Sequence, residues 1–420
     1  MVVKRSRSKT LLFATVAVAL AGGAMHFASD AWGRSRNAAT TAAAKKELAE
    51  ERARIETVRL PPAVAGSSTE LTCNFRDVKL GYLRSKEWME VRVAAARPQG
   101  EVLETVAEKV RKARPEIAKL SEALRCDRLD SAQVLVMDDD SMALSAALIV
   151  DGHLMIHDGE VEQGVTRYLE GARHGAHAGA GFAGSGWLAS EHAFLALARV
   201  MVAHDDAPID RIAAFLTALE PVLPSPRIFA RRFRLALGEA AENAHREAGV
   251  PLSAPKYSDI EGMRKMRAQA YMLFYPKSVR YAQAMDVLGE VYRRAEALPD
   301  GASPARRMLE ADLLSLLATT TNTFVYDLAG SSLDTNGVSG YSTFALARAV
   351  ARLEALRRAE GRAPASLPAE LWAHDPATDA SPFGYETTSN GTGYRVWSVG
   401  KNGKDDNGKD DDVVVQHQGR

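Results

Sequence analysis

Apolar positions along this chain follow a helical period over most of its length. From Gln99 onward Val102, Val106 and Val110 step by four, and Ile117, Leu120 and Leu124 resume the step after Pro115. At 3.6 residues per turn these positions share one face, so helices are predicted there with a break at Pro115. Residues 141–157 carry Met142, Ile149 and Ile156, and the turn His157-Asp158-Gly159 separates them from 160–173 with Val161, Val165, Tyr168 and Leu169. Asp151-Gly152 also has the form of a two-residue hairpin turn. The apolar pattern runs through that dipeptide without strand alternation, which favours the helix. Further helices are predicted over 187–204, 209–219, 227–248, 277–297, 304–328 and 341–360, parted by Asp205-Asp206-Ala207-Pro208, Pro224-Ser225-Pro226 and Asp300-Gly301. Gly330 to Gly340 reads as a loop. Short turns between helices make antiparallel neighbours and are compatible with tetratricopeptide-like pairs, but no fixed period emerges. The expectation is a mainly α fold, an irregular helical array, with a small antiparallel β motif at its C-terminus.

The pattern changes at both ends. Lys4, Arg5, Arg7 and Lys9 precede an apolar run over 11–28 that only His26 interrupts with a titratable group. A basic flank before about 18 apolar residues reads as an export signal at the lower edge of what spans a bilayer. Signal peptidase sites are available at Ala19-Leu20-Ala21 and Ser29-Asp30-Ala31, and the rival reading is an uncleaved anchor with its basic end inside. The uncleaved anchor is the expected form. It gives a cytoplasmic basic tail over 1–10, a transmembrane helix over 11–28, and a single-pass protein of a bacterial inner membrane with its body in the periplasm. Residues 37–60 then form a solvated helical stalk, with Lys46/Glu50 and Glu50/Arg54 paired one turn apart. The helical body follows over 71–330, and a helix plus β motif over 341–420.

Composition narrows the function classes. Lys plus Arg and Asp plus Glu both number 53, so the formal charge is zero. A nucleic-acid partner is not expected, because displacing counterions from phosphate needs a basic excess. Two cysteines exclude a disulfide-rich scaffold and a multi-cysteine zinc module. Outside the cytosol Cys73 and Cys126 would close a loop of about 53 residues, stabilising by roughly 4 kcal/mol. The alternative is two unpaired buried thiols.

His153, His157, His174 and His177 invite a metal reading, but no acid accompanies them in an H-E-x-x-H pattern. Gly179 to Gly184 matches G-x-G-x-x-G without a preceding strand, and Ser185 lies in AGSGW rather than G-x-S-x-G. These features make a metal-dependent hydrolase around His153–His177 a rival reading only, and no enzyme is expected.

After Gly361 strands are predicted over 383–388, 394–399 and 413–416, with a tight turn at Ser389 to Gly393. Between the last two strands lies GKNGKDDNGKDDD, Gly400 to Asp412, with five aspartates and two asparagines. A hard cation takes carboxylate, amide and backbone oxygens from such a flexible loop. It is not an EF-hand, since Gly403 falls at the first ligand place and no Glu follows.

The order EGRAPASLPAEL from Glu360, DPATDASPFGYE from Asp375 and YRVWSVGKNGKDDNGKDDDVVV from Tyr394 resembles the C-terminal part of the major pseudopilin of type II secretion systems. The resemblance implies a DP-turn, a small antiparallel sheet and a structural calcium ion. It assigns Asp410 and Asp412 to the paired aspartates, Asn402 to a position where the family usually has an acid, and a backbone carbonyl to Val399. Some three hundred residues separate this motif from the N-terminal helix, so filament assembly is not implied. The endings P-x-S-L, DP and WSVG, with LIVDGHLMIHDGEVEQGVTRYLEGARHGAH upstream, also resemble a loose group of membrane-anchored helical bacterial proteins without assigned function. The expected role is an envelope-anchored, non-catalytic scaffold or interaction protein with a structural calcium site. The alternative is a component that docks on envelope or secretion-system proteins through its pseudopilin-like end.

Overall fold

Helix α1 runs from Lys4 to Thr57 and is followed by strand β1 (Thr69–Thr72), α2 (Ser85–Ala96), α3 (Glu101–Ala123) and β2 (Cys126–Arg128). Next come α4 (Asp139–His157), α5 (Val161–Gly179), α6 (Gly184–Ala203), α7 (Ile209–Leu219), α8 (Lys277–Glu296) and α9 (Gly337–Glu360). Strands β3 (Gly384–Thr388), β4 (Gly393–Ser398) and β5 (Val413–His417) close the chain. The computed structural model describes residues 4–57, 69–72, 85–96, 101–128, 139–179, 184–220, 275–297, 312–313, 315–316, 337–368, 375, 382–388, 391–399, 404–409 and 412–419. The expected helix over 227–248 and most of that over 304–328 lie outside these residues. The fold is mainly α with a small three-stranded antiparallel sheet at the C-terminus, as the sequence pattern implies.

Two units make up the chain. In the first, α1 up to Glu50 packs on α8. Gly33 lets the helices meet, because a Cβ there would run into the backbone of Ser278 and Val279. One turn on, Asn37 Nδ2 donates to the Ser278 carbonyl at 3.0 Å, and Ser278 Oγ donates to Asp30 Oδ1 at 2.6 Å. Arg36 pairs with Asp286 at 3.1 Å. The region expected as a solvated stalk therefore has a packing stripe. Asn37, Thr41 and Ala44 are buried, a stripe of small residues that an apolar-periodicity reading passes over.

The expectation of a single-pass inner-membrane protein with a periplasmic body is corrected here. Among the described residues no helix is long and apolar enough to cross a membrane. The run over 11–28 rises about 27 Å as a helix, short of the ~30 Å hydrocarbon core. It contains His26 and the pair Gly22-Gly23, and it continues without interruption into polar turns of the same helix.

The second unit holds the main core. Helix α3 stays continuous through Pro115, where the sequence predicts a break. Val106, Val110, Ala113, Ile117 and Leu120 are all fully buried on one face, and burying that face outweighs the one hydrogen bond that proline removes. Helices α4, α5 and α6 pack successively, α2 and α3 lie against α4, and α9 lies against α6 and α7. Asp151-Gly152 is helical, not a hairpin turn. Asp151 is fully buried, and its carboxylate accepts from Arg114 Nε at 2.8 Å and Arg167 Nε at 3.0 Å.

Helix α9 begins at Gly337, inside the stretch expected as a loop, and ends as predicted at Gly361 (φ 72°), whose amide bonds the Arg357 carbonyl at 2.8 Å. This is the left-handed cap that glycine adopts without steric cost.

Short strands β1 and β2 pair in parallel, Thr69 opposite Cys126. Cys126 is disulfide-bonded, and the sequence has one other cysteine, Cys73, directly after β1.

Candidate functional site

The C-terminal sheet has the order β3-β4-β5 and is antiparallel throughout, with Gly384 opposite Trp397 and Ser398 opposite Val413. Every residue of β4 except Arg395 is buried, so the strand is sheathed by its neighbours and by the helices. Strand β5 packs on α6 and β4 on α9. Tyr385, Tyr394 and His417 stack across the three strands, with ring centroids 6.0 and 5.9 Å apart.

Beneath this ladder lies a buried carboxylate. Glu354 of α9 is fully buried and accepts a 2.8 Å hydrogen bond from the Tyr394 hydroxyl. Arg357 holds the same carboxylate at 2.9 Å and also reaches Asp205 at 3.1 Å. His417 Nδ1 is 2.9 Å from the Val202 carbonyl. A carbonyl only accepts, so this nitrogen carries the proton. Arg358 donates to the carbonyls of His204 and Ala207, both at 3.0 Å. His417 thus satisfies a carbonyl in the last turn of α6, one of those that helix geometry leaves without partners, and Arg358 adds bonds to carbonyls just past that helix end. Burial, and then the negative charge of Glu354, push the Tyr394 hydroxyl well above its ordinary pKa.

Two of the four ligands expected for calcium lie within the described residues. Val399 and Asp412 each stand one step beyond the Ser398–Val413 pair, so strand register sets them together at the base of the loop that joins β4 to β5. The Val399 amide donates to Asp375 Oδ2 at 2.9 Å, and Ser398 Oγ donates to Asp375 Oδ1 at 2.9 Å. Asp412 Oδ2 accepts from the amides of Gly408 at 2.8 Å and Asp406 at 3.1 Å. Asn402 and Asp410 lie outside the described residues.

The loop is held to the sheet by side chains that sequence reasoning missed. Trp397 Nε1 donates to Asp405 Oδ1 at 2.9 Å, and the Arg395 guanidinium donates to the carbonyls of Asn407 and Gly408, both at 3.1 Å. Asn407 and Gly408 both have positive φ, 58° and 70°, as an Asn-Gly turn of mirror-image type requires. The Asn-Gly dipeptide was a readable signal for that turn. Asp375, in contrast, reads in sequence only as the opening of a DP-turn; the structure buries it completely and makes it a clamp on the strand end. Among the described residues no group of three His, Cys, Asp or Glu side chains is arranged to hold a metal ion. The side chains of Asp375 and Asp412 at the base of the loop nevertheless present carboxylate oxygens, the chemistry a hard cation takes.

The histidines of the rival reading do not converge. His153 is buried, with Nε2 3.1 Å from the Ala95 carbonyl and Nδ1 2.6 Å from the Tyr168 hydroxyl. His157, one turn on, is exposed and lies 3.3 Å from Asp158. His174 is buried against Ser145 Oγ at 2.6 Å, and the side chain of His177 is outside the described ones. Burial lowers the pKa of both His153 and His174 to about 4, so both imidazoles are neutral near pH 7.

No family model, curated protein or solved structure matches this chain.

Proposed function

We propose that the protein is a non-catalytic interaction scaffold whose C-terminal hairpin is stiffened by a calcium ion in the loop that joins β4 to β5. The observation that carries this reading is the register of β4 and β5, which sets the Val399 backbone beside Asp412 at the base of the connecting loop, with Asp375 clamped against Val399. Asp412, the Val399 carbonyl, Asn402 and Asp410 are the proposed ligands, and Asp375 and Asp405 hold the loop ends. Calcium would supply charge neutralisation there, since five aspartates crowd a loop of thirteen residues. A three-stranded sheet of five- and six-residue strands has little core of its own, and ion binding adds directly to folding free energy. The non-catalytic part of the reading is supported by the buried, hydrogen-bonded state of His153 and His174.

The test is thermal unfolding of the full chain in millimolar calcium and in chelator, followed by intrinsic fluorescence, because Trp397 bonds the loop through Asp405. Calcium should raise the midpoint by several degrees, and Asp412→Ala should abolish the increase. Identical curves in calcium and chelator for the unsubstituted protein would reject the site.

A further inference from the structure

The first half of α1 carries an apolar surface left open to solvent. Leu20 is 69% exposed and Phe27 75%, and Val16, Met25 and Trp32 are exposed as well. No described side chain from Thr15 to Ala28 is buried. A Cβ added at Gly22 or Gly23 would meet nothing within 4 Å, whereas one at Gly33 would strike Ser278. Among the described residues, packing on α8 begins at Asp30, whose carboxylate accepts from Ser278 Oγ, and continues at Gly33 and Asn37. The turns before Asp30 are helical, apolar and uncovered.

Position around the helix narrows what can cover them. At 3.6 residues per turn Val16, Leu20 and Phe27 fall within roughly 40° of one another, and Met25 and Trp32 lie on the opposite side. A single partner helix would shelter one of these sides and leave the other in water. Charge narrows the choice further. Lys4, Arg5, Arg7 and Lys9 stand in the first two turns of the same helix, and no acid occurs before Asp30. A second copy packed in parallel would bring these cations against their equals. An anionic lipid surface satisfies both features. Its headgroups attract the cations, and the boundary between headgroups and acyl chains takes up apolar side chains from a helix that sinks into it. Trp32 follows the apolar turns, and an indole is suited to the headgroup level, where one end is apolar and the other wet.

We infer that the first half of α1 docks on an anionic lipid surface. Lys4, Arg5, Arg7 and Lys9 supply the charge, and Val16, Leu20, Met25 and Phe27 enter the headgroup boundary without crossing the bilayer. Each cation held near such a surface strengthens binding about fivefold. Charge and apolar contact therefore act together, and the loss of either weakens the attachment.

The probe is a pair of vesicle preparations, phosphatidylcholine alone and phosphatidylcholine mixed with phosphatidylserine. Each is incubated with the full-length protein in chelator, so that the proposed calcium site takes no part, and flotation measures the bound fraction. The protein should bind the phosphatidylserine vesicles at least tenfold more tightly than the neutral ones, and about 1 M salt should release most of it. Replacing Lys4, Arg5, Arg7 and Lys9 together by Gln should abolish the preference for phosphatidylserine. Leu20→Gln combined with Phe27→Gln should weaken binding at least tenfold. The same pair should leave the melting temperature unchanged, because both side chains are exposed. Val93→Gln alters an exposed apolar residue of α2 and should leave binding unchanged. The inference is overturned if the protein does not float with phosphatidylserine vesicles, if it floats equally with neutral ones, or if Val93→Gln weakens binding as much as the α1 pair. It is also overturned if the lipid-free protein self-associates and the Leu20/Phe27 pair makes it monomeric, because a second copy then covers the helix.

Discussion

The Tyr394 hydroxyl and Glu354 Oε1 are 2.8 Å apart, and this bond ties the central strand of the C-terminal sheet to the interior of α9. Glu354 has no exposed surface, and Arg357 is its counter-charge at 2.9 Å. Removing the tyrosine hydroxyl leaves a buried carboxylate one donor short. Tyr394→Phe should therefore cost about 1–3 kcal/mol. Glu354→Ala strands both Tyr394 and Arg357 and should cost about 3–5 kcal/mol. Urea unfolding of the single variants and of the double variant checks this. If the pair acts as one unit, the double variant is less destabilised than the two single effects added together.

Arg358 makes a different connection. The sequence presents Arg357 and Arg358 as charges in the last turn of α9, complementing the dipole of their own helix. In the structure Arg358 turns to the carbonyls of His204 and Ala207, past the end of α6. Arg358→Ala should destabilise the protein by about 1–2 kcal/mol through loss of these bonds. Amide exchange should speed up in the last turn of α6 before it does in α4. Uniform acceleration across both helices would mean that Arg358 supports the whole core and not this helix end.

The periodicity of apolar residues was enough to place α4, α5, α6 and α9, because each buries a broad apolar face whose spacing is visible locally. Strands β3 to β5 were legible from alternation and from Asn-Gly and Gly-Thr-Gly turn residues. Helix α3 was misread at Pro115, since the local cost of a proline is visible in sequence and the burial of Ile117 and Leu120 is not. The packing of Gly33 and Asn37 on Ser278 was invisible because it pairs residues some 240 positions apart through small side chains. At the candidate site, aspartate-rich composition drew attention to Asp412, while Asp375 and Trp397 were missed. Their roles arise only when β4 brings distant segments together.

Neutral, buried histidines make the fold acid-sensitive in a defined window. His153, His174 and His192 each have an ordinary pKa of 6.5 that burial lowers to about 4. In the unfolded chain they take up protons as the pH falls through 6.5; in the folded chain they resist until about pH 4. The unfolded state then binds up to three more protons than the native one, and stability falls with decreasing pH across that interval. Above pH 6.5 these three groups contribute no slope. The melting temperature should therefore hold level from pH 8 to 7 with respect to these residues and drop between pH 6.5 and 4. His174 gives the cleanest check, because it is fully enclosed beside Ser145. His174→Gln removes a titrating group while keeping a side chain able to hydrogen-bond Ser145, and it should flatten the acid limb by about one proton. An unchanged limb in that variant would show that His174 already titrates near its ordinary value in the folded protein.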